Sequence, residues 1–471
     1  MTRLARWAFL IGLVAPHVAQ ADPSPLRLDE VMESVTVHDP RIRKAVEDLR
    51  RAEGNTMEAR GAFDPRLKGD AALTTGAYYD LREADAELRQ ATTLWGSEIY
   101  AGYRVGRGVN QRWPTYFDNQ TLSGGEVRAG IEIPIWRNGL IDEARARRAR
   151  ALELEDAARS VLDSTALDLE VAAASAYWKW VSAGQTSEVT KALLDLAEQR
   201  DSQLRRRLAA GSIAEFDITD NERILLERRA LLVTAQRGFE QAAFELSLFL
   251  RDEQGRSIVP APERLPAAVS LGDDPDLSED AVIDQVLACH PEVERVRAEL
   301  RAFDVDVRLT KNQLAPELEA AFEYSRDLGQ LTGTDLDFTL PGNVFEAGIQ
   351  LSMPLLFRDE RGRASAARAK AAAQRAEVRF IEDQLRARVR DAASAVRAAR
   401  ERVRLNAELV ETAATLSEGE RRRFDVGSSN LIFVNLREQQ AALARVRLIE
   451  ALAVAEIEQV RWATTTGARC R

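Results

Sequence analysis

The sequence is poor in the residues from which most catalytic and metal sites are built. Its 471 residues include two cysteines, three histidines and four methionines. Cys289 and Cys470 stand far apart and cannot form a disulfide framework, so stability has to come from packing. The pair Cys289-His290 has no companion with metal-ligand spacing, and His290 precedes a proline that opens a helix, a structural position. There is no Gly-rich phosphate loop and no Ser/His/Asp or Cys/His arrangement. Catalytic, cofactor and metal residues are therefore expected to be none, and the chain is not read as an enzyme. Beyond the N-terminus no stretch approaches the roughly 18 uncharged apolar residues of a membrane-spanning helix, so any entry into a membrane must use strands. Prolines number 15 and no tract has the composition of a long flexible linker. Basic residues number 65 against 75 acidic ones, which argues against a nucleic-acid surface.

Residues 1–21 have Arg3 and Arg6, an apolar run from Trp7 to Ala15, and then Ala19-Gln20-Ala21, the order of a cleavable secretory signal. No cysteine follows the apolar run, so there is no site for lipoprotein acylation.

What the chain does have, it has twice. "RRRLAAGSIA" from Arg205 is matched by "RRRFDVGSSN" from Arg421, "DPRIRKAVEDL" from Asp39 by "HPEVERVRAEL" from His290, and "GIEIPI" from Gly130 by "GIQLSMPLL" from Gly348. Two repeats follow, residues 22–255 and 277–463, joined by a linker at 256–276 and ended by a tail at 464–471. Each opens with a helix of about 25 residues. The period then changes to two, giving strands at about 66–80, 94–106 and 126–135 in the first repeat and 317–326 and 344–355 in the second. Val127, Ile131 and Ile133 alternate with Glu126, Arg128 and Glu132, and Phe345, Ile349 and Leu351 alternate with Glu346, Gln350 and Ser352.

Long helical hairpins follow, 139–250 and 362–463. The rising arms are free of proline, and about 70 residues at 1.5 Å each make rods of roughly 100 Å. The repeated Arg-Gly-Ser segments are their tips, near 211 and 427. Gly211 and Gly427 supply the left-handed conformation that ends a helix. Arg207 and Arg423 sit where the macrodipole favours a cation, and Ser212 and Ser428 can cap the returning helix. Trp178 and Trp180 are read as helix packing.

Four amphipathic strands cannot close a barrel alone, and open edges are forbidden in lipid, so copies must combine. The duplicated order helix, strand, strand, long hairpin, the segment "AYWKWVSAGQ" from Ala176, and the Arg-Gly turns resemble the TolC-type outer-membrane efflux and secretion channels. The resemblance implies a mainly α fold with β: a homotrimer whose twelve-stranded outer-membrane barrel continues into a long periplasmic helical barrel. It implies passive conduction in a tripartite efflux or type I secretion system. Its partners would be a periplasmic adaptor (membrane fusion protein), an inner-membrane pump or ABC exporter, and outer-membrane lipid. Glu126, Arg128, Glu132, Glu346, Gln350 and Ser352 would face the lumen, and Val127, Ile131, Ile133, Phe345, Ile349 and Leu351 the lipid. Many members carry acids six and nine positions after each tip glycine as a periplasmic constriction. This chain has Asp217 and Asp220 in the first repeat but Phe433 and Leu436 in the second. Asp217 and Asp220 also suit a helix N-terminus. The first strand region is longer than the second, Pro65 to Pro134 against Pro316 to Pro354, which suggests an extra strand there. A periplasmic helical-hairpin adaptor or coiled-coil scaffold is the alternative, and it leaves the strands unexplained.

Overall fold

The computed structural model describes residues 24–76, 79–110, 121–269, 271–272, 275, 277–330 and 342–467. The expected secretory signal and the residues 111–120 of the first-repeat insertion lie outside the described residues. The first repeat runs α1 (Leu28–His38), α2 (Pro40–Arg60), β1 (Arg66–Gly76), β2 (Tyr79–Ala91), β3 (Glu98–Asn110), β4 (Glu126–Pro134), α3 (Glu143–Ala209) and α4 (Glu215–Leu246). The second runs α5 (Glu279–Cys289), α6 (Pro291–Asn312), β5 (Glu317–Asp327), β6 (Val344–Ser352), α7 (Arg358–Asp425) and α8 (Leu431–Thr465).

The helix expected at the start of each repeat opens at Pro40 and Pro291, and a shorter helix that was not expected precedes it. Proline excludes the helical conformation from the residue before it, and Asp39 and His290 both adopt extended backbone, with ψ of 127° and 130°. The long arms α3 and α7 have 67 and 68 residues. Alanine, arginine, leucine and glutamate dominate them and no proline interrupts them, which is what unbroken helices of this length require.

The chain divides into two compact units. One holds Met1–Asp39, Leu169–Asp276 and Ser394–Arg461. Its core is apolar: Trp180 is fully buried and stacks on Phe239 at 5.8 Å. Gly184 leaves room for Leu265 of the linker, since a Cβ there would lie 2.6 Å from the leucine. The linker thus docks on helices, and Gly272 donates its N–H to Glu456 at 3.0 Å. Tyr177 donates to the Leu26 carbonyl at 2.8 Å, and burial pushes its phenol up to about 12.

The other unit holds Pro40–Asp168, Leu277–Ala393 and Trp462–Arg471. There α6 buries Val293, Val296, Ala298, Ala302, Val305 and Leu309 at helical spacing, and Ala146 packs on Val305 and Leu309. Cys289 is disulfide-bonded, so one covalent link supplements the packing on which stability was expected to rest. The same unit contains a single antiparallel sheet in the order β1-β2-β3-β4-β5-β6.

The fold class read from the sequence, mainly α with a β-sheet, holds, but the strand count differs. The chain carries six described strands rather than the four from which a twelve-stranded barrel followed. The stretch expected as one strand to residue 80 ends at Gly76, and β2 returns beside it with Gly76 paired to Tyr79. The strand expected at 94–106 begins at Glu98, after a turn in which Trp95 takes a positive φ of 53°.

Candidate functional site

Two places in the molecule concentrate chemistry: the sheet and the paired turns of the helical hairpins. The ladder register sorts the sheet into two faces. Glu132 opposes Glu98 and Ala321, Arg128 opposes Gly102 and Ser325, and Glu323 in turn opposes Glu346. Alternation then places Glu126, Arg128, Glu132, Glu346, Gln350 and Ser352 on one face and Val127, Ile131, Ile133, Phe345, Ile349 and Leu351 on the other.

The charged face is cross-linked between strands two apart. Arg128 contacts Asp85 at 2.9 Å and Glu87 at 2.7 Å, and Arg89 contacts Glu98 at 3.1 Å and Glu132 at 3.2 Å. Arg104 meets Glu126 at 2.6 Å, and Tyr100 donates to Glu323 at 2.5 Å. On this face Glu87 is only 5% exposed and Glu126 8%. On the other face of the same strands Leu88 is 49% and Val127 39% exposed. That is the reverse of a water-soluble sheet, in which the apolar face is the covered one. Gly102 lets the network close, because a Cβ there would sit 3.1 Å from Arg128 Nε. The acids and cations of β2 were not anticipated. In "DLREADAELRQ" Glu83, Asp85, Glu87 and Arg89 alternate with Ala84, Ala86 and Leu88, the period-two signal that could have found this strand.

The two turns share one geometry. Gly211 and Gly427 have φ of +71° and +77°. Their N–H groups bond to Leu208 and Phe424 carbonyls, and Ser212 and Ser428 N–H groups reach back to Arg207 and Arg423 carbonyls at 3.0 and 2.8 Å. This doubly bonded ending satisfies carbonyls that a helix terminus otherwise leaves open. The serine hydroxyls add to it, donating to the same Arg207 and Arg423 carbonyls. Ser212 and Ser428 therefore end the rising helices instead of capping the returning ones. The returning caps are different: the Ala214 N–H donates to Asp217 at 3.2 Å, and the Phe433 N–H donates to Asn430 at 3.1 Å.

The arginine triplets are occupied locally. Arg205 pairs with Asp201 and Glu222, Arg207 lies over the Phe424 ring at 5.5 Å, and Arg423 pairs with Glu420. Leu204, Ile218 and Leu431 form one small core that binds the two turns together. Asp217 is thus a capping residue and Asp220 accepts from Arg223 at 3.1 Å. Asp220 and Leu436 line one cavity of about 220 Å³, while Phe433 is 51% exposed.

Close to these turns lies a charge cluster that spacing could not reveal. Glu438, with its side chain 2% exposed, accepts from Arg200, from Arg228 at 3.4 Å and from Arg421 at 3.2 Å. Arg200 also donates to Asn435 at 2.5 Å, and Arg228 to the Leu193 carbonyl at 2.8 Å. Burial, with Arg200 nearby, lowers the Arg228 guanidinium below its ordinary range. Helices α3, α4, α7 and α8 all contribute to this cluster, and only their packing brings it together. Among the described residues no group of His, Cys, Asp and Glu has the form of a metal site, and no helix is long and apolar enough to cross a membrane.

Residues 282–468 match the family described as outer membrane efflux protein. No curated protein matches the chain. Among solved structures, a membrane protein from Pseudomonas aeruginosa is similar with a TM-score of 0.66 and 16% identity, covering 93% of this chain and 92% of that one. The Campylobacter jejuni CmeC outer membrane channel has a TM-score of 0.66 at 12% identity and covers 99% of this chain and 94% of its own. The Vibrio cholerae outer membrane protein VceC has a TM-score of 0.64 at 15% identity and covers 93% and 96%.

Proposed function

We propose, from the match of residues 282–468 to the outer membrane efflux protein family, that the chain is the outer-membrane channel of a tripartite efflux or type I secretion system. The observation that carries this reading is the inverted sheet. A face bearing Leu88 and Val127 at 49% and 39% exposure, beside Glu87 and Glu126 at 5% and 8% on the other, is stable against hydrocarbon, while the charged face keeps Arg89, Arg104 and Arg128 paired around an aqueous path. Both edges of the sheet, β1 and β6, are exposed along their whole length. In lipid each unpaired backbone group costs several kcal/mol, so copies must join edge to edge, as a homotrimer. The helical hairpins extend into the periplasm, and their turns meet an adaptor and, through it, an inner-membrane pump or exporter. Conduction is passive. Asp217 and Asp220 with Phe433 and Leu436 form the periplasmic constriction in this reading, acidic from one repeat and apolar from the other.

A periplasmic adaptor or scaffold would share the hairpins, but it would leave the apolar sheet face facing water. The test is purification with and without detergent, followed by reconstitution in planar bilayers. Detergent-dependent oligomers with discrete conductance steps are expected. A monodisperse monomer soluble without detergent would sink the proposal.

A further inference from the structure

The apolar face of the sheet is not apolar to its end. Nearer the helices it is uncharged, as in the cross-strand row Gln90, Ile99, Ile131, Phe322 and Ala347. Among the described strands its four charged residues, Asp80, Arg82, Arg107 and Arg326, all lie towards the end remote from the helices. Arg82 and Arg107 stand directly opposite each other, and Arg326 stands in line with Tyr103 across Val127. One row closer to the helices the rings of Tyr324 and Phe345 face each other. All three arginines are exposed. Arg326 makes no hydrogen bond or ion pair among the described residues. Arg107 donates to the Ser123 carbonyl at 2.5 Å, and the Arg82 guanidinium lies 3.8 Å from Asp80 with 75% of its side chain exposed. Like charges directly opposite on a sheet repel, and each guanidinium has five donors, so the Arg82–Arg107 pair has both the charge and the unused N–H groups to hold an anion.

We propose, resting on the channel reading, that Arg82, Arg107 and Arg326 bind phosphate groups of lipid headgroups in the outer leaflet of the membrane. In that reading the helices lie in the periplasm, so the end of the sheet remote from them faces the exterior. An arginine at the middle of the hydrocarbon is strongly destabilising, but the penalty almost vanishes at the interface, where aromatic side chains also settle. Tyr103, Tyr324 and Phe345 mark that level, and the arginines stand at it or beyond. The guanidinium fork meets a phosphate through two parallel hydrogen bonds, which a carbonyl or hydroxyl of a neutral headgroup cannot match. The strands carry no charge on this face at the helix-connected end, so the contact belongs to one leaflet and fixes how deep the sheet sits.

The probe is lipid A, a diphosphorylated glycolipid, compared with the same lipid stripped of its phosphates. Detergent-solubilised oligomers of the full chain are incubated with each, and bound lipid is counted by native mass spectrometry. The protein should retain the phosphorylated form about fivefold or more over the stripped one, and Arg82→Gln, Arg107→Gln, Arg326→Gln together should remove that preference. Lysine at the same three positions, which keeps the charge and loses the fork, should keep part of it. Arg66→Gln, on the charged face, should leave it unchanged, and an excess of inorganic phosphate should not displace the lipid. A preference that survives the triple glutamine variant, or that Arg66→Gln lowers as much, overturns the proposal. Displacement by inorganic phosphate overturns it too, because the arginines would then serve free phosphate. Planar-bilayer recordings of the same preparations keep the two failures apart. Discrete conductance steps without lipid preference leave the channel reading standing, and a protein that gives neither brings both down.

Discussion

The sheet and the helical hairpins solve opposite problems with the same amino acids. In the hairpins Trp180 and Leu385 are buried and arginines lie mostly at the surface, as in any protein packed in water. In the sheet Glu87 and Glu126 are buried and Ile349 and Phe345 are exposed. In the channel proposed above, the difference teaches that burial follows the solvent outside: where hydrocarbon would replace water, exposure of apolar surface carries no penalty, and the side turned to the lumen would be the polar one. The hairpins have their own enclosed charge at Glu438, but there it is a local exception held by three arginines rather than the rule of a whole face.

The comparison is broken most severely at that exception. Glu438→Ala removes the carboxylate that pairs with both buried arginines and should cost the fold about 3–5 kcal/mol, because Arg200 and Arg228 remain in the interior without it. Denaturant unfolding of the solubilised protein checks this, and a loss below about 1 kcal/mol would mean that water compensates the arginines.

Next in size is the lipid face. Ile131→Arg or Ile349→Arg should cost about 2–4 kcal/mol per chain and reduce assembly in outer membranes, whereas Glu132→Gln or Gln350→Glu, on the charged face, should assemble normally. Equal behaviour of the two sets would show that the faces do not divide by solvent.

Smaller is the effect of the tip acids. Asp217→Ala removes the acceptor for the Ala214 N–H and should cost about 1 kcal/mol. Combined with Asp220→Ala it should lower cation preference and weaken block by trivalent cations in planar-bilayer recordings, with oligomer assembly unchanged. Unchanged selectivity would leave Asp217 a cap and Asp220 a partner of Arg223 and nothing more.

The smallest effect is one of pH, and it belongs to the helices. His290 caps α6 by accepting the Glu292 N–H at its Nδ1, and burial, reinforced by Arg388 and opposed by Glu292, holds its imidazole below the ordinary value. A lowered folded value means that the unfolded chain takes up the proton first. The stabilisation is fully present above about pH 6.5 and is lost as pH falls from there towards the folded value. Thermal unfolding between about pH 7.5 and 5 should show this decline, and His290→Asn, which keeps a cap acceptor without titrating, should flatten it.

How much of this was legible depended on whether the signal was local. The turns could be read because a helix of this length can end in a reversal only where one residue tolerates a left-handed conformation, and Gly211 and Gly427 announce it. The serines beside them misled, since the same hydroxyl can serve either helix and sequence does not say which way it points. Strands β4 and β6 showed themselves through alternation, and β2 carries the same signal, Glu83, Asp85, Glu87 and Arg89 against Ala84, Ala86 and Leu88, but with alanines where β4 has isoleucines its apolar face is weak, and pairing with β1 and β3 makes it plain. Asp217 and Asp220 could be located but not assigned, because a helix N-terminus and a channel mouth attract the same charge.

By itself the sequence determined the duplication, the long helices, the places where they turn and which strand residues share a face, because each depends on neighbours within a few positions along the chain. The tertiary structure alone decided that six described strands join one sheet, that Glu87 and Glu126 are buried in it, and that Arg200, Arg228 and Arg421 converge on Glu438. Those outcomes depend on groups tens to hundreds of residues apart meeting at a few ångströms, and no periodicity along the chain records such a meeting.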